Sequence, residues 1–221
     1  MMRWAERQAA GEVIATARAM RTSGLVVGTS GNVSARVGDA VLITPSGMDY
    51  DALTPDDLCA LGVGGREAGA ARGRRKPSSE APMHLAIYAA RREVEAIVHT
   101  HSTAATALAC LGKGIPAFHY MVAAAGGADI RCAPYATFGS AALAAHALAA
   151  LDGRRACLLA NHGMIALGST LAGALALARE VENLAEQYLR TLAVGQPNLL
   201  DDAEMARVIA KFASYGQHKG P

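Results

Sequence analysis

Apolar residues recur at helical spacing over residues 3–22, where Trp4, Val13, Ile14, Ala17 and Met20 stand among charges. This spacing predicts an amphipathic opening helix that stops at Ser23-Gly24. The pattern then changes period. LVVGTSGNVSARV and AVLITPSGMDY are two β-branched stretches joined by VGDA, and they read as a hairpin. Behind the cap signal TPDD, the stretch GVGGREAGAARGRRKP is glycine-rich, basic and without period, which predicts a surface loop. PSSEAPMHLAIYAAR opens a second helix: Ser78 or Ser79 can cap it, and a proline in the first turn costs no hydrogen bond.

The second half alternates in kind. EAIVH reads as a short buried strand, STAATALACLG as a helix, IRCAPYAT as extended chain, SAALAAHALAAL as a helix and ACLLANHG as a further strand. TLAGALALAREVENLAEQYLRTLAV is a long helix, and DDAEMARVIAKFASYG, with an acidic first turn, closes the chain helically. No internal repeat, linker or low-complexity block interrupts this order. Strands and helices mix without strict alternation. The expected fold is α/β: a three-layer α/β/α arrangement around a central, mostly antiparallel sheet, one domain spanning residues 1–221.

Composition narrows the class of function. The chain has 221 residues, 52% of them hydrophobic, which is ample for one packed core. A formal net charge of +2 gives no argument for nucleic acid or an acidic membrane surface. Cys59, Cys110, Cys132 and Cys157 lack CxxC spacing and read as thiols of a reducing compartment. MMRWAERQAAGEV has no apolar signal core, and no apolar run approaches the ~18–20 residues that span a bilayer. The expected location is the cytoplasm, with neither nucleic acid nor membrane as partner.

Two of the seven histidines, His99 and His101, stand at the end of the strand AIVHTH. In a strand they share a face, ~6.6 Å apart over two rises of ~3.3 Å. That lets both imidazoles converge on one ion at ~2.0–2.1 Å per bond. Taken alone, HxH fits a core pair as well as a ligand pair. His162, at the end of the apolar run LLANHG, favours a shared metal. His84, His119, His146 and His218 lack this strand-end setting and are expected to pack or lie on the surface.

Ser78, Ser79 and Glu80 occupy a helix N-terminus, where backbone N–H groups and the dipole favour an anion such as phosphate. Glu80 there either meets the metal or acts as a base beside it, although PSSE alone reads most simply as a cap with an acidic first turn. GTSGN and TPSG are two further small-residue turns, with Ser30, Asn32, Thr44 and Ser46 as candidate donors. Each is a weak signal alone. P-loop, dinucleotide and GxSxG fingerprints are absent.

As a set, GTSGNVSAR, LITPSGMDY, PSSE, HTH, HYMVAAAGG, CAPYATFG and NHG resemble the class II aldolase/adducin family, and HYMVAAAGG with CAPYATFG resembles its aldolase branch. The resemblance runs over essentially the whole chain. It implies His99, His101 and His162 as zinc ligands, with Glu80 as a fourth ligand at rest and as the catalytic acid/base. It also implies that Gly31, Asn32, Ser46, Gly47, Ser78 and Ser79 bind a substrate phosphate. Tyr120 matches a tyrosine that acts at the hydroxyl of the cleaving bond from a neighbouring subunit. Phe138 and Tyr215 match residues that close the aldehyde side.

The family fold is assembled as a C4 homotetramer with sites between subunits. The implied reaction is reversible cleavage of a ketose 1-phosphate to dihydroxyacetone phosphate and an aldehyde. Its phosphorylated sugar would be L-fuculose 1-phosphate or a 5-deoxypentulose or methylthioribulose 1-phosphate. No lysine in these motifs offers a Schiff base, so the metal carries the electrophilic role. A 4-epimerase of the same family would carry aspartate in place of Glu80, and an adducin-like interaction domain would lack the histidines.

Overall fold

A computed structural model describes residues 4–63, 71, 72 and 74–212 of the chain. The first helix, α1, runs Trp4–Thr22, as its apolar spacing predicts. The hairpin follows in shortened form, with β1 Asn32–Val37 pairing antiparallel to β2 Ala40–Ile43. Residues 25–31 are not part of it. Gly28 and Gly31 take φ of 63° and 81°, which breaks the extended run and makes a turn ahead of β1.

Two strands arise where cap and loop signals dominate the sequence: β3 Cys59–Gly62 pairs with β2, and β4 Ala71–Arg72 pairs with β3. The remainder of the basic loop, residues 64–70 and 73, lies outside the described residues. Helix α2 spans Ala81–Ala90 with Glu80 as its N-cap residue, so neither Ser78 nor Ser79 caps it as expected. Strand β5 (Ala96–Thr100) leads into α3 (Thr103–Cys110). A 3-10 turn at Tyr120–Ala125 precedes β6 (Cys132–Ala133) and α4 (Ala141–Ala150).

ACLLANHG is not one strand. β7 stops at Leu159, residues 160–162 turn, and GMIALG returns as β8 (Gly163–Gly168). The long α5 (Leu171–Val194) and α6 (Asp202–Phe212) end the described chain, and Tyr215 falls outside it.

Among the described residues, eight strands join one sheet in the order β4-β3-β2-β1-β5-β8-β7-β6, and of these pairs only β6 and β7 run parallel. Its two faces follow the period of two. Val98, Leu158, Met164 and Ala166 pack with α1, α3 and α5, while Ile97, Cys157, Leu159 and Ile165 pack with α2 and α4. This is the expected three-layer α/β/α arrangement with a mostly antiparallel sheet. Among the described residues, no helix is long and apolar enough to cross a membrane.

Candidate active site

His99 projects from β5 on the α2 side of the sheet and is fully buried. Its Nδ1 lies 2.9 Å from the Met164 carbonyl. A carbonyl only accepts, so Nδ1 carries the proton and Nε2 presents a lone pair. That lone pair faces His101 Nε2 at 3.0 Å. His162, in the β7–β8 turn, completes a near three-fold cluster in which each pair of ring centroids is 4.9 Å apart. Glu80 closes it, with Oε2 2.7 Å from His99 Nε2 and Oε1 3.3 Å from His162 Nε2.

The four ligand atoms lie within 4.8 Å of one another. Three imidazole nitrogens and a carboxylate suit a tetrahedral divalent ion. Glu80 Oε1, buried and without a hydrogen-bond partner, is the acceptor such an ion would satisfy. The Nδ1–carbonyl bond behind His99 is the outer-shell contact that fixes a ligating tautomer. These residues therefore fit a metal ion.

The same crowding sets the electrostatics of the cluster. Burial alone would raise the Glu80 carboxyl, but the neighbouring His99 and His162 outweigh it and hold it far below the usual carboxylate range. Burial, reinforced by His99 and His162, pulls His101 down to about 4, so it is neutral near pH 7 and able to ligate. His99 moves upward: burial opposes its charge, but the Glu80 carboxylate prevails.

Local backbone chemistry explains the spacing. In NHG, Asn161 takes φ 55°, a left-handed conformation that asparagine tolerates, and so turns the chain to present His162. Gly163 sits so close to β5 that a Cβ there would meet the Thr100 carbonyl at 2.3 Å. Gly31 is constrained likewise, since a Cβ would fall 2.6 Å from the His99 carbonyl. The Tyr50 hydroxyl, 2.7 Å from the Gly31 carbonyl, ties this turn down. Asn32 can then donate to Glu80 Oε2 at 3.2 Å.

A cleft of about 290 Å³ opens over Glu80, His101 and His162, with His99 buried behind them. Gly31, Asn32, Ser46, Gly47, Ser78 and Ser79 line it, as does Phe138. A bridge between Pro45 and Pro77 joins the TPSG and PSSE turns into one wall. Of the other expected donors, Thr44 does not line the cleft and its Oγ1 accepts from Val33 N–H, while Ser30 lines it but donates its Oγ proton to the Val27 carbonyl. Tyr120 does not line this cleft; its ring is half-exposed and stacks on His119.

The cleft also recruits Thr29, Pro45, Tyr135, Ala136 and Asn161, none of them singled out from the sequence. Tyr135 and Ala136 lie inside CAPYATFG, three and two residues before Phe138, and Asn161 inside NHG. An asparagine between an apolar strand and a histidine-glycine pair was the available sign of a left-handed turn.

Comparison with known proteins agrees with this geometry. The family model described as "Class II Aldolase and Adducin N-terminal domain" matches residues 11–189. The chain is 55% identical over 206 residues to the 5-methylthioribulose-1-phosphate/5-deoxyribulose-1-phosphate aldolase of Rhodospirillum rubrum, across 93% of this chain and 91% of that protein. It is 47% identical to the L-fuculose phosphate aldolase of Escherichia coli K12, across 93% of this chain and 94% of that one. A solved structure of an L-fuculose 1-phosphate aldolase superposes with a TM-score of 0.89 at 40% identity, over 93% and 96% of the two chains. The chain belongs to the class II aldolase and adducin family.

Proposed function

We propose that this chain is a zinc-dependent class II aldolase that reversibly cleaves a ketose 1-phosphate into dihydroxyacetone phosphate and an aldehyde. The observation that carries this reading is the convergence of His99, His101, His162 and Glu80 at the base of a cleft walled by small polar turns. The names of the relatives support 5-methylthioribulose 1-phosphate, 5-deoxyribulose 1-phosphate and L-fuculose 1-phosphate as the substrates to test.

Bound by the three histidines, the ion supplies a Lewis acid for charge that develops on the ketone oxygen. Asn32, Gly31, Ser46, Gly47, Ser78 and Ser79 hold the phosphate. In the condensing direction the ionised Glu80 takes a proton from C3 of dihydroxyacetone phosphate, and in cleavage it returns that proton after the C3–C4 bond breaks. Tyr120 takes the C4 hydroxyl proton in cleavage. Its position away from its own chain's cleft supports its acting on a neighbouring protomer, within a C4 homotetramer. Phe138, Tyr135 and, from the chain's end, Tyr215 close the aldehyde side.

Residues 1–221 form one catalytic domain in this reading, at work in the cytoplasm. The union of every described strand in one sheet supports the single domain. Zinc is preferred because three imidazoles suit it. The test is release of dihydroxyacetone phosphate from fuculose, rhamnulose, ribulose, deoxyribulose and methylthioribulose 1-phosphates, with and without a chelator. Chelator-sensitive release from at least one is expected; no release from any overturns the assignment.

A further inference from the structure

Behind the cleft, β1 and α2 face each other through an ordered set of polar contacts. Alternate β1 residues Asn32, Ser34 and Arg36 meet α2-side residues Glu80, His84 and Tyr88, spaced by four. Asn32 bonds Glu80 at 3.2 Å, and Ser34 Oγ lies 2.7 Å from His84 Nδ1 and 2.9 Å from Tyr88 Oη. Arg36 donates to the Tyr88 carbonyl at 2.7 Å and lies over its ring at 4.9 Å. Two residues of strand advance ~6.8 Å and four of helix ~6.0 Å, so the rungs stay in step.

Ser34 and His84 are completely buried, in a layer otherwise packed by apolar side chains. Buried polar groups persist there only when bonded. Proton counting orients the chain. If Tyr88 donates to Ser34 and Ser34 donates to His84 Nδ1, the His84 proton resides on Nε2. The reverse order leaves both the Tyr88 proton and the Nε2 lone pair unmatched. The favoured order leaves one unbonded group, the Nε2–H of His84. Glu80 follows one turn earlier along the same side, at the N-cap, without a capping bond from its own side chain.

We propose that His84 is a positioning residue for Glu80. Anchored through Ser34 to Tyr88, it clamps the first turn of α2 onto β1 and so fixes the carboxylate against the imidazole cluster. It is not a catalytic residue, because it lies outside the cleft lining. Its effect on turnover rests on the aldolase reading; its effect on the carboxylate does not.

The experiment compares wild type with His84→Leu, His84→Gln and Tyr88→Phe, each loaded with cobalt(II) in place of the native ion. Folding is followed by circular dichroism, carboxylate placement by the visible cobalt bands, and kcat and KM by the release assay. All variants are expected to bind one cobalt per chain, since the imidazoles come from β5, the residue after it and the β7–β8 turn. His84→Leu is expected to shift the cobalt bands and to lower kcat ~10-fold, the lower end of outer-shell effects, with KM little changed. His84→Gln, whose amide oxygen can accept from Ser34, is expected to recover most of both.

Unaltered bands and kcat in His84→Leu, or equal impairment in the Gln variant, would show mere packing and overturn the proposal. Should His84→Leu fail to fold, Tyr88→Phe, which loses one oxygen, decides by the same bands. If wild type releases no dihydroxyacetone phosphate, the function falls while the cobalt comparison still judges His84.

Discussion

The two faces of the sheet are built on different principles. Towards α1, α3 and α5, the central strands present Val33, Ala35, Val98, Met164 and Ala166, all apolar and buried. Towards α2, the same strands β1 and β5 present Asn32, Ser34, Arg36 and His99, each with a named partner. One face is held by area removed from water, which tolerates approximate shape. The other adds directed bonds, which fail when one atom is missing, to an apolar cluster of its own that includes Ile97, Leu159 and Ile165. Both faces bury apolar area, and the polar contacts beside the candidate site lie on the second.

Substitutions separate these roles. The largest effect is expected from His99→Ala, which removes a ligand outright. Metal affinity should fall by more than the ~10–100-fold that loss of an outer-shell partner costs, with activity lost, as read by metal stoichiometry after dialysis. Full occupancy in this variant and in His101→Ala and His162→Ala would mean the metal lies elsewhere. Glu80→Gln should leave the ion bound and lower turnover ~10²–10⁴-fold, the range for a lost acid/base. Unchanged turnover would remove its assigned role.

On the opposite face, Leu158→Ala deletes a fully buried side chain, and ~2–5 kcal/mol of stability should go with it. Denaturant titration measures that loss, and the metal content of the folded fraction should not move. The smallest effect belongs to a polar group on neither face. Hydrogen bonds from Thr54 and Arg75 hold the Asp57 carboxyl down to about 2. Its folded value lies below its unfolded one, so it stabilises the protein above about pH 4 and ceases to as pH falls towards 2. Asp57→Asn should cost ~1 kcal/mol or less at pH 7, a few degrees in Tm at most, and the gap from wild type should close by about pH 2.

The difference between the faces also decides what could be read from sequence. Apolar spacing predicted α1, α5 and β5, because burial of a continuous apolar stripe is written into consecutive residues. It misplaced ACLLANHG and the LVVGTSG stretch, where glycine and asparagine at positive φ turn an apolar run before it becomes a longer strand. It missed β3 and β4, which are short and defined by pairing more than by pattern. The candidate ligand set was legible because HxH and NHG carry uncommon donors at the ends of apolar runs and PSSE sets the Glu80 carboxylate at a helix N-terminus; the family resemblance then joined them. His84 was expected to pack or lie on the surface. Its partner Ser34 is fifty residues away, and no local spacing announces a bond between them.

The central position of β5 has a consequence for how the molecule is assembled. His99 is flanked in register by Asn32 on one seam and Ile165 on the other, so its neighbours come from distant parts of the chain. An unfolded chain offers an ion only the adjacent His99 and His101. The remaining donors arrive after both long-range seams have zipped, and closing those loops costs entropy before contacts repay it. Capture of an ion by all four groups would therefore follow the pairing of both seams. Held by Glu80, His99, His101 and His162, an ion would fasten the first turn of α2, the end of β5 and the β7–β8 turn together. Because only the native chain brings all four groups together, the binding energy of such an ion would become resistance to unfolding.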